Sequence, residues 1–112
     1  MPASIGWADP EQELQLPPAG GSITITWSDV PTPALMDVTL TGPVQFTAGY
    51  QQIGITIGET EGEVTLGLKP DVGAAGRSFV IEAHLIAGAQ ELWIERTGMI
   101  LSQVQLPMIL RQ

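Results

Sequence analysis

The groups able to do chemistry are few. Glu59, Glu61 and Glu63 stand at alternate positions after Gly58, and a Ca²⁺ ion takes several carboxylate and carbonyl oxygens of this kind. Their spacing is not that of a known calcium loop. Carboxylates at every second position also line the solvated face of a hairpin, which is the expectation for these three. Asp29, Asp37 and Asp71 join them only if folding brings them near. His84 is the sole imidazole and cysteine is absent, which removes thiolate nucleophiles, disulfides and nearly every structural zinc set. Nucleophilic hydrolysis needs a serine with a base and an orienting acid, yet none of Ser4, Ser22, Ser28, Ser78 and Ser102 lies in a Gly-x-Ser-x-Gly elbow. A carboxylate pair for glycoside cleavage needs a deep cleft, for which a small domain has little room. The expectation is a non-enzymatic protein with no catalytic residue, no cofactor and no metal.

Charge narrows the partners. Twelve acidic residues against four basic ones give a net charge of −8, so nucleic acid and anionic membranes are excluded as partners by repulsion. Only 14% of the chain is charged, against about 25% in a typical domain. The surface must then carry many Thr, Gln, Gly and apolar groups, which suits burial in an assembly. The apolar fraction of 44% over 112 residues is enough for one folded core. No asparagine is present to accept N-glycosylation, and the first twenty residues include Asp9, Glu11 and Glu13 but no base. That start lacks the pattern of a secretory signal, so synthesis in the cytoplasm is expected. No apolar run approaches the roughly 18 residues of a membrane span.

The elements that must hold these residues are strands. Residues 1–21, with Pro2, Pro10, Pro17, Pro18 and Gly20-Gly21, read as an extended arm in which Trp7, Leu14 and Leu16 are apolar hooks for a neighbouring subunit. Residues 22–112 read as one β domain. Ser22 to Trp27 alternates strictly, with Trp27 continuing the core face of Ile23 and Ile25. Leu35 to Thr41 places Val38 and Leu40 together, and Val44 to Thr47 follows Gly42-Pro43. Ile53, Ile55 and Ile57 precede an acidic reversal at Gly58 to Gly62, after which Val64, Leu66 and Leu68 share a face, so two strands are expected to meet at this turn. Arg77 to Ala87 sets Phe79, Ile81, Ala83 and Leu85 on one side, and Gln90 to Arg96 returns after Gly88. A break is expected at Thr97-Gly98, followed by the apolar stretch from Met99 to Arg111, where Pro107 belongs at an edge. That stretch is either the last strand of its own sheet or a strand paired across subunits. The one helical candidate is a single turn near Pro33 to Met36. Seven or eight antiparallel strands at such intervals indicate an all-β sandwich.

The hairpin from Arg77 to Arg96 allows a sharper inference. If Leu85 and Leu92 both point inward, the loop has an even residue count, and then His84 lies opposite Trp93 and Glu82 opposite Glu95, all four outward. A Glu across from a Glu is unfavourable in water, and an outward Trp needs cover. Glu82, His84, Trp93 and Glu95 are therefore candidates for contact with a partner's Arg or a sugar ring. Tyr50 and Trp93 are the candidates for a two-aromatic sugar platform.

Several stretches resemble the bacterial immunoglobulin-like modules. They are Val38-Thr39-Leu40-Thr41-Gly42-Pro43, Glu63-Val64-Thr65-Leu66, Lys69-Pro70-Asp71, Gly73-Ala74-Ala75-Gly76-Arg77 and Phe79-Val80-Ile81-Glu82-Ala83. They follow that family's rhythm of a Val-Thr-Leu strand, a Pro-rich or acidic corner, an Ala/Gly-rich crossing and a strand ending in a small residue. The disulfide of antibody domains and the tyrosine corner are missing. The resemblance implies an immunoglobulin-like β-sandwich and a surface-binding or spacer role, of the kind such modules fill on phage heads and tails. The expected function is that of a capsid decoration or cement protein of a virion. It would be a dimer or trimer bound to the major capsid protein or another virion protein. The alternative is a module on a tail or fibre that binds a cell-surface glycan.

Overall fold

The computed structural model describes residues 3–8 and 14–101, and the alternation of the sequence becomes the inside and outside of two sheets. The strands are β1 (Ser4–Trp7), β2 (Leu14–Leu16), β3 (Gly21–Ser28), β4 (Ala34–Thr41), β5 (Val44–Phe46), β6 (Gln52–Ile57), β7 (Gly62–Pro70), β8 (Ser78–Ala87) and β9 (Gln90–Ile100). One sheet has the order β1-β3-β7-β5 and the other β2-β9-β8-β4-β6. Ile23, Ile25, Leu66 and Leu68 of the first meet Met36, Val38, Phe79, Ile81, Ala83 and Leu85 of the second in one buried core. Each large side chain so buried contributes about 1.5–3 kcal/mol relative to exposure. Among the described residues no polar or charged residue is buried, so the layer between the sheets is held by apolar packing.

The all-β sandwich is as the sequence indicates, and four details differ. The described parts of the expected arm are two edge strands rather than a free extension. β1 pairs antiparallel with β3, from Ser4 opposite Ser28 to Trp7 opposite Ile25, while β2 pairs parallel with β9, from Leu14 opposite Gly98 to Leu16 opposite Ile100. Prolines and short length are compatible with edge positions, which need only one row of ladder bonds. The strand count is therefore nine among the described residues, with one parallel pair. β6 and β7 do not form a hairpin at the acidic turn: β6 pairs with β4 and β7 with β3 and β5, so the turn carries the chain from one sheet to the other. Pro33 to Met36 is not helical, because β4 begins at Ala34 and its alternation buries Ala34 and Met36. Thr97-Gly98 is no break, since β9 runs on to Ile100 with Gly98 buried opposite Phe79. Most of the expected Met99 to Arg111 strand lies outside the described residues.

Candidate interaction face

The hairpin of β8 and β9 builds the most distinctive surface. Its loop is Gly88-Ala89, and the positive φ of Gly88 (63°) with Ala87 opposite Gln90 suits a two-residue turn that takes Gly first. The even count sets the register: Leu85 faces Leu92, His84 faces Trp93 and Glu82 faces Glu95. Phe79, Ile81, Ala83, Leu85 and Ala87 point into the core, so Glu82, His84, Trp93 and Glu95 point out. On the other side β4 continues the rows, with Asp37 opposite His84, Thr39 opposite Glu82 and Leu35 opposite Ile86.

Within this face His84 and Trp93 are stacked, with ring centroids 4.3 Å apart and planes 7° from parallel. His84 Nε2 is 2.9 Å from Glu91 Oε1. The imidazole is thus fixed by one ring and one carboxylate, and it covers part of the indole. Trp93 nevertheless remains 57% exposed. Leu35 and Met99, also among the exposed large apolar residues, lie at outward positions of the same sheet, whereas Tyr50 and Val72 lie in loops. Asp37, Glu82, Glu91 and Glu95 supply four carboxylates, and no Lys or Arg of the described residues occupies an outward position of this sheet. Arg96 is on β9 but opposite Ile81, on the core-facing side, and it is engaged in an interaction of its own. The outer face of the other sheet is different in character, with hydroxyl pairs Ser4–Ser28 at 2.9 Å and Thr24–Thr65 at 2.8 Å.

The remaining expected site residues are dispersed. Leu16 is buried in the chain's own core, and Leu14 and Trp7 are half-buried against that core. Trp27 is half-buried at the core margin and its Nε1–H donates to the Glu59 carbonyl at 3.0 Å. Gly62 lies opposite it, and a Cβ there would meet the indole at 3.0 Å. Tyr50 and Trp93 do not form a platform. Tyr50 precedes β6 by two residues, and β6 is three strands from β9, which puts the two rings on the order of 15–20 Å apart. Glu59, Glu61 and Glu63 gather no further ligand: among the described residues no three His, Asp or Glu side chains are placed to hold a metal ion.

Among the described residues, two hollows beside the sandwich are of note. The larger, about 360 Å³, is lined by apolar groups of the β7–β8 crossing and the end of β9, with Asp71 as its one ionisable side chain. The smaller, about 200 Å³, lies between Ala3, Ser4 and Ile5 on one sheet and Leu92, Trp93 and Ile94 on the other. Neither brings together an acid and a base, so neither has the parts of a general acid–base site. What sequence reasoning missed was this second hollow, which depends on β1 being part of the sandwich.

No protein-family model matches the chain, and no curated protein sequence matches it. Among solved structures it is similar to the crystal structure of the periplasmic chaperone SfaE, at 8% sequence identity and a TM-score of 0.54. The match covers 91% of this chain and 58% of that one, so the chain spans a little over half the length of the chaperone. At that identity the likeness concerns the fold alone. The chain is an all-β, immunoglobulin-like sandwich, with sheets of four and five strands among the described residues.

Proposed function

We propose that this protein is a non-enzymatic module that attaches to a larger protein assembly through the outer face of its five-stranded sheet, and that decoration of a virion shell is the form this takes. The observation that carries the reading is Trp93, 57% exposed yet held by the stack with His84, on an outer face that also shows Leu35 and Met99. A fixed, exposed aromatic is the kind of residue that anchors a protein interface. The separation of Tyr50 from Trp93 counts against the two-aromatic glycan platform and leaves Trp93 as its one ring. The four carboxylates on the face make two copies of it repel, so it does not pair with itself face to face.

The test is sedimentation of the tagged protein with large particles from cells that make it, comparing Trp93→Ala with Tyr50→Ala. The proposal expects Trp93→Ala to leave the particles and Tyr50→Ala to stay with them. Equal retention of both variants overturns it.

A further inference from the structure

We infer that the partner presents an arginine to this face, its guanidinium held between Glu82 and Glu95 and laid against the exposed part of Trp93; the inference rests on the docking reading above. Glu82 and Glu95 are directly opposite one another across β8 and β9. Opposite positions place their Cβ atoms about 4.5–5.5 Å apart, a like-charge pairing that disfavours the isolated sheet. A planar guanidinium reverses the sign of that interaction, because its five N–H donors serve two carboxylates at once. The His84 imidazole is hydrogen-bonded to Glu91 at 2.9 Å, which leaves it committed away from Glu82 and Glu95. Trp93 is two residues from Glu95 on the same strand and face, about 7 Å along it, so a cation between the carboxylates lies near the indole.

A further observation selects the ligand class. Ca²⁺ and Mg²⁺ take six or more oxygen ligands and Zn²⁺ takes four, whereas no group of three His, Asp or Glu side chains is gathered among the described residues. Arginine suits the clamp better than lysine, whose ammonium is a compact, strongly hydrated point charge with no plane to lay on the ring.

The experiment titrates the full chain with a blocked Gly-Arg-Gly-Arg-Gly peptide and with its citrulline counterpart, which keeps the shape and loses the charge. The readout is the indole N–H resonance of Trp93, assigned by its loss in Trp93→Phe. The expected result is a saturable shift with the arginine peptide, weakened at least tenfold by citrulline and at least tenfold by the double substitution Glu82→Gln with Glu95→Gln. No saturable shift, equal binding of the citrulline peptide, or unchanged binding by the double variant overturns the inference. Circular dichroism of each variant separates loss of binding from loss of fold. If the arginine peptide fails while Trp93→Ala still leaves the particles, the docking face stands and the arginine does not; if both fail, the face itself is wrong.

Discussion

The ring of Phe79 lies directly on the bare backbone of Gly98. The two residues are opposite one another on β8 and β9, both are buried, and a Cβ added at Gly98 would sit 2.7 Å from Phe79 Cε1. Gly98 is therefore a strand residue chosen for the space above it, and it lets a large side chain fill the core where β9 begins its pairing with β2.

Gly98→Ala should consequently destabilise the fold. Overpacking of this kind costs about 1–3 kcal/mol, to be read as a lower urea midpoint at unchanged slope. Gly6→Ala is the control, since a Cβ at Gly6 meets nothing within 4 Å. It should change stability by less than about 0.5 kcal/mol.

The first strands should matter to the fold and not only to a partner. Leu16 is 1% exposed and its strand is hydrogen-bonded to β9, so Leu16→Ala should cost about 2–5 kcal/mol by chemical denaturation. A loss under about 0.5 kcal/mol, the range of an ordinary surface substitution, would mean that β2 does not dock in solution.

Glu82→Gln should stabilise the isolated protein slightly. It removes the like-charge pairing with Glu95, worth about 0.2–1 kcal/mol at low salt. Because both side chains are exposed, raising the salt to about 1 M, where the Debye length is about 3 Å, should erase the difference. A gain that persists at high salt would assign it to something other than charge.

How much of this was legible in the sequence depends on which residues are considered. The β8–β9 register followed from two apolar positions, Leu85 and Leu92, and a two-residue loop, because a slip of one residue would turn the whole hydrophobic set outward. The same alternation in β6 and β7 shows which residues face the core but not which sheet each strand joins, and so the turn between them looked like a hairpin. Trp7, Leu14 and Leu16 stand in segments of four and three residues, too short for a period of two to appear among their prolines. Parallel pairing of β2 with β9 joins residues more than eighty positions apart and leaves no local signal. The Glu82, His84, Trp93 and Glu95 patch was visible as a register consequence, while the stack of His84 on Trp93 and the hollow beside it required coordinates.

The most direct test of the account uses the absence of cysteine. A single cysteine at Thr97, exposed at an outward position of β9, or at Thr65, exposed on the outer face of the other sheet, can each carry a bulky maleimide polymer. Retention on the sedimenting particles is then measured for both conjugates. The account predicts that the polymer at Thr97 abolishes attachment and the polymer at Thr65 leaves it intact. Attachment that survives modification at Thr97, or that is lost only at Thr65, would contradict the claim that the five-stranded sheet is the docking face.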